Sequence, residues 1–296
     1  MFSLPLPVWR SLLYVPAHVP RYVTKAEVCG ADAVILDLED GVPPEQKAQA
    51  RGALAEAIPR LARIGYDLLV RVNGPLEPMA ADLRAAVLAG ASGVVLPKVR
   101  GAAHLEAIDE QLALLEDACG TPLGRTRIIA IIETPRAFEV MSDIARATPR
   151  VAALMLGGGD FALSCDSRAS AEVLRVPKQL LVIAARAAGV LPLGLTGGLD
   201  VLDDLDAFER AAQQSVDMGF AGATCIHPAQ VAVLNRAFMP SADEVSDASA
   251  LLAAFDAARA EGRGALRFDG RMVDAPGITR ARRVLARHAA SQRRMP

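Results

Sequence analysis

Two apolar runs in this chain end on carboxylates, and two carboxylates delivered in that way suit a hard divalent cation. Ile128-Ile129-Ala130-Ile131-Ile132 leads into Glu133-Thr134-Pro135, and Ala153-Leu154-Met155-Leu156 leads into Gly157-Gly158-Gly159-Asp160. Short apolar runs of this kind read as strands buried on both faces. An acid at the C-terminal tip is then hidden unless the tip opens into a site. Magnesium takes carboxylate oxygens and keeps waters that a substrate can replace, so Glu133 and Asp160 are the candidate Mg2+ ligands. The glycines before Asp160 let a ligand approach the backbone closely. Taken alone, the same turn reads as an ordinary strand-to-helix connection with Asp160 as the helix N-cap.

Other strand ends carry further polar groups. Arg10 and Tyr14 lie near the first strand, and Asp37, Glu39 and Asp40 at the second. Arg71 and Asn73 end the third, Pro97 and Lys98 the fourth, and His227 the eighth. A guanidinium binds a carboxylate bidentately, which makes Arg71 the natural clamp for a small 2-oxo or hydroxy acid. A cation chelated by the same acid would stabilise an enolate or alkoxide, so the set points to making or breaking a carbon–carbon bond. Arg10, Pro97 and Lys98 join Arg71 and Glu133 as candidate substrate contacts, with Asp37, Glu39 and Asp40 supporting them. Lys98 could instead act as a Schiff-base nucleophile, but the paired acids make the metal route more economical. His227 reads as a packed strand-end histidine in preference to a catalytic base.

The elements that must position these groups follow one rhythm. Strands are expected at 10–16, 33–40, 68–73, 93–98, 128–132, 153–157, 190–195 and 222–227. Helices are expected between them, including 136–147 and a long one from 169 to 188 kinked at Pro177. Eight alternations with continuous apolar strands indicate a parallel sheet covered on both faces, and hence an α/β fold of the (β/α)8 TIM barrel type. A doubly wound open sheet would call for a glycine-rich phosphate loop after the first strand, and Val15-Pro16-Ala17-His18 is not one. The barrel is expected over residues 1–240. Residues 241–296 form a C-terminal extension of helix, short hairpin and terminal helix.

Composition narrows the partners. The formal charge of −2 over 296 residues argues against a nucleic-acid binder held by a basic surface. The arginines between Arg280 and Arg294 read as a solvated helical tail. Cys29, Cys119, Cys165 and Cys225 are far apart with no CxxC spacing, which predicts reduced thiols in a cytoplasmic protein. No signal peptide and no membrane-spanning run is expected.

Taken in order, these pieces resemble the citrate lyase beta-subunit and malyl-CoA lyase family. The segments that carry the likeness are Arg10-Ser11-Leu12-Leu13-Tyr14-Val15-Pro16, Ala33 to Asp40, Arg71-Val72-Asn73, Leu96-Pro97-Lys98-Val99, Ile132-Glu133-Thr134-Pro135, Leu156 to Phe161 and Ile226-His227-Pro228. The resemblance implies Mg2+ on Glu133 and Asp160 and a 2-oxo acid carboxylate on Arg71. Gly270 to Pro276 resembles the C-terminal segment of the CoA-ester lyases, which implies that Asp274 acts as acid/base in a neighbouring subunit's site. It also implies a homotrimer or hexamer in which residues 241–296 pack on that neighbour. The expected activity is cleavage of a 3-hydroxyacyl-CoA, such as citramalyl-CoA or malyl-CoA, into acetyl-CoA and a 2-oxo acid. Ala223 stands where the family usually has lysine, and Phe161 to Ser167 and Leu193 to Gly198 also depart from its pattern. These departures keep two alternatives open: an aldolase on free 2-oxo acids without CoA, and a citrate lyase beta subunit acting on an acyl-carrier-bound substrate.

Overall fold

The computed structural model describes residues 5–198, 202–260, 266–273 and 275–292. Asp274 therefore lies outside the described residues. Eight parallel strands form the core: β1 (Ser11–Pro16), β2 (Ala33–Asp37), β3 (Asp67–Arg71), β4 (Gly93–Leu96), β5 (Arg127–Ile132), β6 (Val151–Leu156), β7 (Leu191–Leu193) and β8 (Ala223–Cys225). Their hydrogen-bonded order is β7-β6-β5-β4-β3-β2-β1-β8. A single bridge, Leu193 to Gly222, joins the two ends of that row. There the Gly194 N–H donates to the Gly222 carbonyl and the Ala221 N–H to that of Pro192, each at 2.9 Å. The expected TIM barrel is the observed fold.

The strands are buried on both sides because both faces are covered. Leu12, Ile35, Leu69, Val95, Ile129, Ile131, Met155 and Leu193 share one core cluster. Their neighbours Val34, Leu36, Leu68, Val94 and Ile128 are buried too, beneath helices that contribute the buried Leu54, Leu83 and Leu112. Burying one such leucine or isoleucine contributes roughly 2 kcal/mol. Helices Lys47–Ala62, Leu76–Ala89 and Ala102–Ala118 are rich in alanine, whose small side chain lets a helix approach a sheet.

Local differences from the sequence reading have local causes. Residues 136–147 form two short helices, Pro135–Glu139 and Met141–Arg146, separated at Val140 with φ −109°. The helix expected to kink at Pro177 begins at Arg175, so Pro177 sits in its first turn, where a missing N–H costs nothing. Two helices were not foreseen, Gly158–Ser164 and Pro228–Ala237. The second is tied to the barrel by Asn235, which accepts from the Ser11 hydroxyl and donates to the Gly30 carbonyl.

The chain divides into two compact units, Met1–Arg236 and Ala237–Pro296. In the second, helix Ala242–Ala260 packs against helix Ala275–Gln292. Between them β9 (Leu266–Phe268) and β10 (Arg271–Val273) pair antiparallel. No described helix is long and apolar enough to cross a membrane.

Candidate active site

The C-terminal ends of the strands gather the acids. Asp37 closes β2 and Arg71 closes β3, side by side in the pairing register. The two form a fork: Arg71 Nε donates to Asp37 Oδ1 and Nη2 to Oδ2, both at 2.7 Å. Each carboxylate oxygen of Asp37 takes a second hydrogen bond, from the Glu39 and Gly41 backbone N–H at 2.9 Å. Gly41 has to be glycine, because a Cβ there would strike Asp37 Oδ2. The other terminal nitrogen of Arg71 faces Glu39 at 3.2 Å and the exposed Asp40 at 3.8 Å, and its guanidinium lies 4.8 Å over the Tyr14 ring. Burial works against the Arg71 charge, but the bonds to Asp37 and the nearby acids outweigh it and raise its pKa. Of its five N–H donors, two go to Asp37 and one faces Glu39, which leaves two for a ligand.

Glu133 follows β5 and is almost wholly buried. One oxygen accepts the Lys98 backbone N–H in a very short hydrogen bond. Lys98 adopts a left-handed backbone with φ 52°, which is uncommon for a residue with a side chain. Its ammonium lies outward, 3.8 Å from Glu39. The rest of Glu133 rests on Gly157, where any Cβ would collide with the side chain and stand 2.7 Å from Oε1. Burial pushes Glu133 up to a pKa of about 7, with Glu39 and Asp160 adding like charge. Burial likewise raises Glu39 to about 7, against the opposing pull of Arg71. Oε2 of Glu39 is buried and accepts no well-formed hydrogen bond; it faces the Arg71 guanidinium as an ion pair at 3.2 Å. Asp160 lies in the first turn of helix Gly158–Ser164, with Gly157 at the N-cap position, and no hydrogen bond or ion pair of its side chain is found among the described residues.

The site is thus short of positive charge. Five carboxylates (Asp37, Glu39, Asp40, Glu133 and Asp160) share the mouth with Arg71 and Lys98. A hard cation fits that deficit: the donors are all oxygens, the Asp160 side chain has no bonded partner among the described residues, and like charge bears on Glu133. Among the described residues no three His, Cys, Asp or Glu side chains converge on one point. Two protein carboxylates with waters or substrate completing the sphere is the arrangement Mg2+ accepts.

Not every sequence candidate belongs here. Arg10 precedes β1, at the opposite end of the barrel. Its backbone N–H and Nε donate to Asp32 Oδ2 at 2.7 and 2.9 Å, and Nη2 to Oδ1 at 2.8 Å. The assignment of Arg10 to substrate is therefore corrected: it sits at the start of its strand. His227 is exposed, and its Nδ1 accepts the Ala229 N–H in a local turn. Pro97 is buried beside Lys98. Sequence reasoning missed Lys47, whose ammonium donates to the Leu38 and Glu39 carbonyls at 2.7 and 2.5 Å and fixes the acidic loop after β2.

The family model for HpcH/HpaI aldolase/citrate lyase matches residues 10–228, the whole run of strands and tips just described. The chain belongs to this family. It is a carbon–carbon lyase of the citrate lyase beta-like kind. Over 306 aligned residues it is 34% identical to the L-malyl-CoA/beta-methylmalyl-CoA lyase of Cereibacter sphaeroides, covering 95% of this chain and 94% of that one. A (3S)-malyl-CoA thioesterase of the same species is 36% identical over 286 residues, covering 95% of each chain. The crystal structure of CitE from Mycobacterium tuberculosis with magnesium, acetoacetate and coenzyme A superposes with a TM-score of 0.74 at 32% identity, over 94% of this lyase and 97% of that chain.

Proposed function

We propose that this lyase cleaves a 3-hydroxyacyl-CoA of the malyl-CoA or citramalyl-CoA type, reversibly, into acetyl-CoA and a 2-oxo acid, with Mg2+. The observation that carries the reading is the unbalanced set of acids at the barrel mouth, next to an arginine held in a fixed orientation. Glu133 and Asp160 would hold the cation, which when bound supplies a Lewis acid for the oxygen at the carbon undergoing cleavage. Arg71, pinned by Asp37, presents its two remaining N–H groups to the oxo-acid carboxylate. That grip fixes the bond to be broken relative to the acids, which is where an enzyme gains most from positioning. As the carbon–carbon bond breaks, the 3-hydroxyl passes its proton to the Asp274 carboxylate, its oxygen becomes the carbonyl of the 2-oxo acid, and the bonding electron pair goes to the acetyl carbon as the thioester enolate. Asp274 of a neighbouring subunit, in a homotrimer or hexamer, returns a proton to that carbon. The relatives named for malyl-CoA, and the CitE complex with coenzyme A, favour a CoA thioester over a free 2-oxo acid.

The test is the purified protein with Mg2+ and malyl-CoA or citramalyl-CoA, followed by product mass. A lyase releases acetyl-CoA and the 2-oxo acid. Release of free CoA and the hydroxy acid would mark a thioesterase instead, a reading motivated by the 36% identical relative. Absence of both products from folded protein would end the CoA-ester reading. Asp274→Asn should abolish cleavage and leave assembly intact.

A further inference from the structure

Apart from Asp160, which follows β6, the charged groups of the mouth lie on one side of the barrel. Strands β1 to β5 bring Tyr14, Asp37, Arg71, Lys98 and Glu133. The ends of β6 to β8 enclose a cavity of about 330 Å3 whose wall contains no carboxylate. Met155, Leu174, Leu193, Leu195 and Phe220 supply hydrocarbon, and Thr224 a hydroxyl. Lys178 also reaches this wall, but its ammonium donates to the Leu195 and Thr196 carbonyls at 2.6 and 3.3 Å. No carboxylate pairs with it among the described residues, and burial holds its pKa below the ordinary lysine range, which favours the neutral amine. Gly158 and Gly159, which lead into Asp160, form another part of the wall, so the cavity opens beside the candidate metal acids.

Ring order gives the cavity a direction. Three strands lie between β3 and β7 either way round the barrel, so Arg71 stands across the mouth from Leu193 and Leu195. A 2-oxo acid with its carboxylate on Arg71 and its oxygens toward Glu133 and Asp160 must point its remaining substituent away from Arg71. That direction leads to the apolar side. We infer that this cavity receives the alkyl chain of the 2-oxo acid, so that among homologues of the citramalyl-CoA type the acid bound most tightly carries a chain longer than the methyl group of pyruvate. The inference rests on the reading of Arg71, Glu133 and Asp160 as the oxo-acid site. The volume is ample for a chain of two to four carbons.

Calorimetric titration of the full-length protein in Mg2+ tests this with glyoxylate, pyruvate, 2-oxobutanoate and 2-oxopentanoate. Burial of each methylene should tighten Kd about fourfold, so affinity climbs along the series. Ala171→Phe, at the exposed lip of the cavity, should cut the 2-oxopentanoate to glyoxylate affinity ratio at least tenfold. Leu195→Ala should move the optimum to a longer chain. Flat or falling affinity beyond pyruvate, no binding of any acid, or an unchanged ratio in Ala171→Phe would overturn the inference. So would chain-length selectivity found only in the thioester partner, propionyl-CoA over acetyl-CoA, with the oxo-acid series flat. Initial rates with acetyl-CoA keep the two readings apart: binding that climbs with chain length but no carbon–carbon bond formation would refute the lyase reading and leave this one standing.

Discussion

Both ends of the barrel bury carboxylates beside arginines, yet they settle the charge differently. At the N-terminal end of the strands every acid of the set has donors. Asp32 is forked by Arg10, and Asp67 accepts from the Trp9 indole at 2.7 Å. Glu116 takes two bonds from Arg150, at 2.7 and 2.8 Å, and two more from the Gly124 and Thr126 backbone. Burial alone would raise the pKa of Glu116, but those bonds prevail and lower it. At the C-terminal end Asp37 is saturated in the same way, while Glu39, Glu133 and Asp160 are not, and burial raises the pKa of Glu39 and Glu133. The same residue types hold the fold together at one end and leave room for a cation at the other. Under the proposed function, completeness of pairing is what would separate a structural carboxylate from a functional one.

The sharpest way to break this contrast is to unpair the satisfied end. Glu116→Ala leaves the Arg150 guanidinium buried with only the half-exposed Asp109 and backbone groups for partners. Loss of one member of a buried pair costs about 3–5 kcal/mol, so urea unfolding should shift by about that amount while kcat per folded molecule stays unchanged. Unpairing the other end should act in reverse. Glu133→Gln is expected to lower lyase activity more than about a hundredfold, beyond the loss seen when only an outer partner of a metal ligand is removed. Its melting temperature in EDTA should nonetheless be higher than that of the parent, since a repulsive charge has gone. A fall in stability there would show that Glu133 is held by the fold and not by a cation.

A third comparison uses the metal itself. At a hundred times its Kd, Mg2+ should stabilise the parent by about 2.7 kcal/mol and give Glu133→Gln and Asp160→Asn little or nothing, read as melting shifts. The smallest effect is in acid. A carboxylate with a lowered folded pKa contributes stability that is complete above its unfolded value and is lost as pH falls through the folded one. Unfolding midpoints of the parent should therefore drop below about pH 4, and Glu116→Gln should flatten that part of the profile.

Much of the fold was legible because a barrel strand buried on both faces is a continuous apolar run, and each run ends where the chain leaves the core. That is why Asp37, Arg71, Glu133 and Asp160 could be picked out. The same logic misplaced Arg10, which opens its run instead of closing it. Pairings at the satisfied end were out of reach: Glu116 and Arg150 lie 34 residues apart, and Asp109 and Arg150 lie 41 apart. Each looks like an ordinary surface charge on a helix or loop until the barrel closes. Gly41 was silent, and Gly157 was read as room for a ligand, since nothing local reveals that a carboxylate rests against either. Pro177 was read by its residue type alone, without the helix start two residues before it.

Closure of the ring depends on Gly222. A Cβ at that position would overlap the Trp9 carbonyl oxygen, at the seam where Ser11 pairs with Ala223 and Leu12 with Thr224. More than two hundred residues of chain must be threaded before these two strands meet, and closing so long a loop is entropically costly and slow. On the ribosome β1 would emerge long before β8, with one edge unpaired and an apolar face to protect. Gly222→Ala should therefore harm yield in the cell more than it harms the activity of molecules that do fold.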